Sequence, residues 1–304
     1  MPVRHVEART YNTGNDARAW RSPVTTPRGR AARAVRAWIE TIRDVAEWVH
    51  RLVVGGRRRA RLPPRSLRDV GPGDFESIGR EFLGHFVGLG ALRPAEGVLE
   101  IGCGPGRMAL PLTEYLAADG RYVGVEIVAR AVRWCQRHIS RRHPNFTFLH
   151  ADVYNRRYNP GGTIQARDYV FPFLDRSFDF VVLTSVFTHM YLEDARHYLR
   201  EIARLLQPNG RLFRTWFLLN EPQAALAGRG RNVIDFRFDR GGYRIRDESL
   251  PESAVAVEER VVRTMFAEAG LGIREPIRFG SWTGRGEGLS FQDILLADPV
   301  PRPS

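Results

Sequence analysis

Residues 98–107 read Val-Leu-Glu-Ile-Gly-Cys-Gly-Pro-Gly-Arg. The apolar run Gly97–Ile101 predicts a short buried strand, and a helical pattern resumes near Arg107 and runs to about Ala118. Between them Gly102, Gly104 and Gly106 stand at every second position. Glycines let a backbone turn sharply and approach a ligand closely. The helix that follows offers unpaired N–H groups at its start. A dinucleotide loop reads G-x-G-x-x-G. Counted from Gly102, its third glycine falls on Arg107; counted from Gly104, it falls on Ala109. The spacing is instead E-x-G-x-G-x-G. A carboxylate at Glu100 suits a ligand with an ammonium group and opposes a pyrophosphate.

Two more acids stand at the ends of the next apolar runs. Glu126 closes Arg121–Glu126, where a carboxylate can accept from both ribose hydroxyls, and Asp152 follows Phe146–Leu149, placed to meet an adenine edge. Singly, each suits a helix cap or a solvated turn. Together, at the ends of three successive strands, they make an adenosine site.

Strand and helix patterns alternate through the rest of the chain. A helix at Val128–Arg141 precedes the strand Phe146–Leu149, and the strand Phe178–Thr184 precedes a helix over about Leu192–Leu206. Gln207-Pro208-Asn209-Gly210 reads as a turn into the strand Arg211–Phe217. A helix at about Glu258–Ala269 and strands near Ile273–Phe279 and Leu289–Ala297 complete the pattern. Such alternation predicts an α/β fold with a doubly wound, mostly parallel sheet. Upstream, Phe75, Ile78, Phe82, Phe86 and Leu89 recur with helical spacing. Asn155–Asp175 and Leu218–Ser253 are too long for ordinary connections and follow strands. The second is read as a substrate lid, with a surface insertion as the alternative. Gly284-Arg285-Gly286-Glu287-Gly288 reads as a turn into the last strand.

The 304 residues carry a net charge of +12, all of the basic residues being arginine. The excess is local: residues 1–68 hold 16 Arg against 5 acids, a net of +11, and residues 69–304 hold 30 against 29. A nucleic-acid enzyme more often spreads its basic patch around the active site, so nucleic acid is not the expected partner. Residues 1–30 lack periodicity and are expected to be disordered or loosely attached. Within 31–54, Val35, Trp38, Ile39, Ile42, Val45, Val49 and Leu52 define an amphipathic helix with an Arg-rich opposite face, ahead of a linker at Pro63-Pro64. Residues 31–61 are expected to pack on the domain or a partner, or to lie on an anionic membrane. Cys103 and Cys135 form no disulfide framework and no metal-ligand spacing, so no metal is expected. Sparse cysteine and the lack of a signal-like apolar segment suggest a cytoplasmic protein.

The stretch from Val98 to Phe217 resembles the class I S-adenosylmethionine (SAM)-dependent methyltransferases of the broad type 11/25 group. Val-Leu-Glu-Ile-Gly-Cys-Gly-Pro-Gly matches the first motif, Tyr-Val-Gly-Val-Glu the second and His-Ala-Asp-Val the adenine contact. Phe-Asp-Phe-Val-Val-Leu-Thr-Ser-Val-Phe-Thr-His-Met matches the fourth-strand motif, and Leu-Leu-Gln-Pro-Asn-Gly-Arg-Leu-Phe the approach to the fifth strand. The resemblance implies a Rossmann-like seven-stranded sheet, order 3-2-1-4-5-7-6, with the last strand antiparallel. It implies SAM as cofactor, its amino-acid part at Glu100, Gly102, Gly104 and Gly106, with Cys103 in the same loop and assigned no chemistry. Glu126 would take the ribose, Ile127, Asp152 and Val153 the adenine, and Thr184 and Ser185 the edge of the sulfonium. The helix Phe75–Leu89 would cover the cofactor.

A general base is needed only if the acceptor must lose a proton. His189, just past the fourth strand, is the candidate; the alternative is a histidine that hydrogen-bonds loop backbone. Asp194 or Glu193 could orient it. Tyr154, Tyr191 and Trp216 are expected to line the acceptor pocket. The expected function is methyl transfer to oxygen or nitrogen of a small molecule: a metabolite, a sugar or a lipid-linked glycan. The alternatives are an RNA or protein methyltransferase docked by the basic N-terminal segment, and a non-catalytic SAM-binding regulator.

Overall fold

A computed structural model describes residues 62–68, 73–228, 232–285 and 288–301. The expected basic tail (1–30) and the amphipathic helix of residues 31–54 lie outside these. Helix α1 (Phe75–Gly88) begins where the Asp74 carboxylate accepts from the Ser77 N–H at 2.8 Å. The chain then runs β1 (Gly97–Ile101), α2 (Ala109–Tyr115), β2 (Arg121–Glu126), α3 (Ala129–Cys135), β3 (Phe146–His150), β4 (Phe178–Leu183), α4 (Leu192–Leu205) and β5 (Leu206–Trp216). Next come β6 (Leu218–Leu219), α5 (Glu221–Gly228), β7 (Phe238–Asp239), β8 (Tyr243–Ile245), β9 (Val255–Glu258) and α6 (Glu259–Glu268). The last strands are β10 (Leu271–Arg278) and β11 (Asp293–Pro299).

Seven strands form one sheet in the order β10-β11-β5-β4-β1-β2-β3. Strand β1 is parallel to both β2 and β4, whereas β11 is antiparallel to β5 and β10. Counted within this sheet the order is 3-2-1-4-5-7-6, the expected doubly wound arrangement. Every residue of β1 is buried, which is why this strand reads as an unbroken apolar run. Alternate side chains of β4 enter opposite layers. Phe180 and Val182 join Phe82, Phe86 and Phe213 under α1, and Val181 and Leu183 join Leu199, Ile202 and Phe266 under α4 and α6. Arg211 anchors the chain after α1 to β5: it pairs with Glu96 at 2.5 Å and donates to the Gly90 carbonyl at 2.8 Å.

Several boundaries differ from expectation for local reasons. α3 passes into a π-helical turn, Gln136–Ser140, instead of continuing as α-helix. The turn at residues 207–210 is a bulge inside β5, since Phe178 pairs with Leu206 and Phe180 with Arg211. Strand β11 starts at Asp293, not Leu289, because the Ser290 and Phe291 carbonyls accept from the Ser281 and Trp282 N–H groups. The segment 218–253 supplies three strands of a second sheet, β6-β9-β8-β7. Val255 and Val257 of β9, with Ile245 and Leu218, pack on the main core, and Ala254 and Ala256 face Phe217, Phe236 and Trp282.

Candidate active site

The chain leaves β1 into a loop whose three glycines all take left-handed backbone angles: φ is +75° at Gly102, +51° at Gly104 and +82° at Gly106. A Cβ on Gly102 would lie 2.4 Å from Val186 Cγ2, and one on Gly106 2.8 Å from Ile139 Cδ1. Conformation and space therefore both demand glycine at these two positions. The Gly102 and Cys103 N–H groups donate to the Val125 carbonyl at 2.7 and 3.2 Å, which folds the loop over the end of β2.

Glu126 latches the loop from below. One carboxylate oxygen accepts from the Gly104 N–H and the other from the Val128 N–H, both at 2.7 Å. A carboxylate has about four acceptor positions, so two remain for a ligand's hydroxyls. Burial pushes its pKa up. Glu100 lies deeper, where the Tyr122 hydroxyl donates to it; burial pushes its pKa up to about 8. Both cysteine thiols lie 3.7 Å from the Gly104 carbonyl, buried and with pKa values raised by desolvation, so neither is a ready nucleophile.

Asp152 organises the long segment after β3. Its carboxylate accepts from the Thr163 hydroxyl at 2.5 Å, and its carbonyl accepts from the Thr163 and Ile164 N–H groups at 3.1 Å. Val153 is buried and bridges Ile164. Ile127 packs on the main core, half-buried. Beyond β4, Thr184 is half-buried and Ser185 has φ +59°. The Ser185 N–H donates to Thr215 Oγ1 at 2.8 Å and its hydroxyl to Gln292 Oε1 at 3.0 Å; the Thr215 hydroxyl also donates to Gln292 Oε1, at 2.5 Å. These bonds hold Ser185 in a conformation unusual for a side-chain-bearing residue. Thr215 and Gln292 escaped the sequence reading; the only signal was a polar residue within an apolar strand.

His189 is bracketed by both long segments. Its Nδ1 lies 2.8 Å from the Glu252 carbonyl, and its Nε2 lies 3.4 Å from the Tyr158 hydroxyl. A carbonyl only accepts, so Nδ1 carries a proton, and in the neutral imidazole it is Nε2 that presents the lone pair. The Glu252 carboxylate in turn accepts from the Arg156 N–H at 2.6 Å. Glu193, expected as an orienting residue, pairs with Arg167 at 3.5 Å, and burial raises the Asp194 pKa. Tyr191 and Tyr243 meet edge to face at 6.4 Å, and Tyr154 is half-buried beside the Ile164 carbonyl, to which its N–H donates. Trp216 is a correction: it is 0% exposed and stacked on Phe187 at 4.7 Å, so it belongs to the core and not to an acceptor pocket.

The residues present fit a SAM-type cofactor. The glycine cradle has no room for side chains, the Glu126 carboxylate keeps acceptor positions open, and Asp152 stands at the end of the neighbouring strand. Residues 99–214 match the family model described as "Methyltransferase domain". Among solved structures, a Pyrococcus horikoshii protein is 16% identical with a TM-score of 0.50, covering 77% of this chain and 95% of its own. The magnesium protoporphyrin IX methyltransferase of Synechocystis, with bound SAH, is also 16% identical, with a TM-score of 0.48 over 77% of this chain and 92% of its own. The glycine cradle, the strand order and the family match agree: the chain carries a SAM-dependent methyltransferase domain with the class I sheet.

Proposed function

We propose that this enzyme methylates an oxygen or nitrogen of a small molecule, with His189 as the general base. The observation that carries this reading is the bracketing of His189 by Tyr158 and Glu252, each from a different long segment. An acceptor approaching the end of β4 meets protein on two sides, which suits a small molecule better than a polymer. Charge supports the same reading, since residues 69–304 are nearly balanced in charge.

When bound, SAM supplies an electrophilic methyl group on its sulfonium. The chain's own residues would do the rest. The glycine loop and Glu126 would position the cofactor, Asp152, Val153 and Ile127 would hold the adenine, and Thr184 and Ser185 would border the reacting end. Tyr154 and Tyr191 would stand at the acceptor's rim. Nε2 of His189 would take the acceptor's proton, held in the right tautomer by the Glu252 carbonyl. Alignment of the two reactants is worth up to roughly 7–11 kcal/mol in favourable cases.

The +11 charge of residues 1–68 supports an added role for that segment, as a contact to an anionic membrane or a partner protein, with the enzyme itself cytoplasmic. The reading is tested with SAM carrying a labelled methyl group, added with the enzyme to a cell extract. Label is expected in the small-molecule fraction. Label confined to RNA or protein would overturn the proposal in favour of a polymer acceptor, and no transfer to any fraction would favour a non-catalytic SAM-binding regulator.

A further inference from the structure

Helix α3 and the π-helical turn after it carry an outer face of one charge. Residues 127–151 hold five arginines and no acid. Arg133, Arg137, Arg141 and Arg142 are exposed, and none of them meets a carboxylate among the described residues. Other surface arginines of the domain are matched: Arg80 meets Glu114 at 3.1 Å, Arg204 meets Asp175 at 2.8 Å, and Arg274 meets Asp298 at 2.5 Å. Burial, and then the charges of Arg142, Arg137 and Arg141, pull the His138 pKa down, so three guanidiniums act on one spot. The inner side of the same element is apolar. Val132, Trp134, Cys135 and Ile139 pack with Met108 and Leu112, so the core holds the helix in place without help from its arginines.

The basic N-terminal segment joins the fold beside this face. Leu67 packs on the same core layer, and Arg130 Nη2 donates to the Ser66 hydroxyl at 3.2 Å. Arg57, Arg58, Arg59 and Arg61 come shortly before Ser66 in the chain. An extended chain spans at most about 3.6 Å per residue, so Arg61 lies within about 18 Å of Ser66 and Arg57 within about 32 Å. Two sets of like charges are therefore kept close together. Their repulsion is offset where one anionic surface lies across both.

The residue types select a membrane over a nucleic acid. Within 31–54, Trp38, Ile39, Ile42, Val45 and Val49 share the sequence with arginines in the pattern of a helix that lies in a bilayer interface. Proteins that grip single-stranded nucleic acid set aromatic side chains among the basic ones. Trp134 is the one Phe, Tyr or Trp in residues 127–145, and it is buried, stacked with His138 at 4.8 Å. The face thus offers bases no exposed Phe, Tyr or Trp, whereas lipid headgroups need only the guanidiniums.

We infer that the outer face of α3 and the turn after it is a docking surface for an anionic membrane, with Arg133, Arg137, Arg141 and Arg142 against the lipid headgroups. The inference extends the membrane contact proposed above for residues 1–68, and rests on it, by adding a face of the folded domain.

The test is co-sedimentation of the full chain with vesicles of phosphatidylcholine containing about 30% phosphatidylserine, compared with phosphatidylcholine alone. The anionic vesicles should bind at least about tenfold more tightly, and raising salt from about 50 to 300 mM should weaken binding. Each basic residue near an anionic surface strengthens binding about fivefold, so Arg137→Glu with Arg141→Glu should weaken it by more than about tenfold. Tm should not fall and the SAM Kd should not move, because both side chains are exposed and meet no carboxylate. Arg137→Lys with Arg141→Lys should keep the wild-type affinity. A separate triple variant, Arg57→Glu, Arg58→Glu and Arg59→Glu, tests the N-terminal segment. Weakening by both charge reversals supports one surface built from both parts. Weakening by the α3 reversal alone keeps the α3 surface and removes the membrane role of residues 1–68. Weakening by the N-terminal reversal alone, equal binding of the two vesicle types, or no binding overturns the α3 surface. Polyuridylate that binds the full chain more tightly than the anionic vesicles, and is lost with the α3 reversal, overturns the membrane in favour of nucleic acid.

Discussion

The guanidinium of Arg214 lies 4.1 Å from the ring centroid of Trp216, inside the core, and at the same distance from Phe266 on α6. Arg214 is fully buried, and among the described residues none of its three side-chain nitrogens has a hydrogen-bond partner. Burial pulls its pKa well down. Ring contacts of this kind return about 2 kcal/mol when desolvated, less than the several kcal/mol that burying a lone charge costs. Arg214→Met is therefore expected to stabilise the fold by about 1–4 kcal/mol, read as a higher Tm in thermal denaturation. A lower Tm would show that the charge has a stabilising partner, such as a bound anion.

Glu126 should be central to cofactor affinity. Its carboxylate both latches the glycine loop and offers the remaining acceptor positions. Hydrogen bonds to a charged group contribute about 1.5–3 kcal/mol each. Glu126→Ala should weaken SAM binding by more than about tenfold in calorimetry. An unchanged Kd would remove Glu126 from the ribose site.

His189→Gln should separate chemistry from binding. Loss of a general base lowers turnover by about 10²–10⁴-fold. The SAM Kd should stay within a factor of about two, since the imidazole is held by Glu252 and Tyr158 of the two long segments. Equal turnover in the variant would reduce His189 to a tie between the two long segments.

Glu100 predicts a pH dependence. Its folded pKa of about 8 stands above the ordinary 4.5 because burial disfavours the charged form. The folded state thus holds its proton between about pH 4.5 and 8 while the unfolded chain releases it, and stability falls as pH rises through that window. Glu100→Gln removes the titration. The Tm advantage of the variant should grow from pH 5 to pH 8 and level off above. A constant difference across the series would mean that Glu100 ionises in the folded protein as it does in water.

The sheet and cofactor loop were legible because their physics is local. β1 matches its expected span, Gly97–Ile101, since a strand buried on both faces reads as a continuous apolar run. The left-handed loop angles demanded the glycines from which the site was read. Trp216 could not be sorted the same way: in a strand buried on both sides, an aromatic near the carboxyl end looks alike whether it faces ligand or core. The second sheet escaped because β6 and β7 have two residues each, too few to show a period. Tyr158, Glu252, Thr215 and Gln292 act across separations of 30 residues or more, so only the folded chain brings them to His189 and Ser185.

Gln292 and Asp293 sit side by side, one holding Ser185 and Thr215 just past β4 and in β5, the other holding the Leu218 and Gly280 N–H groups and the Trp282 indole. One peptide unit therefore joins the setting of the loop after β4 to the setting of the loops that carry Gly280 and Trp282. A ligand that favoured one setting of that peptide would bias both sets of contacts together, and linkage requires any such effect to be equal in both directions.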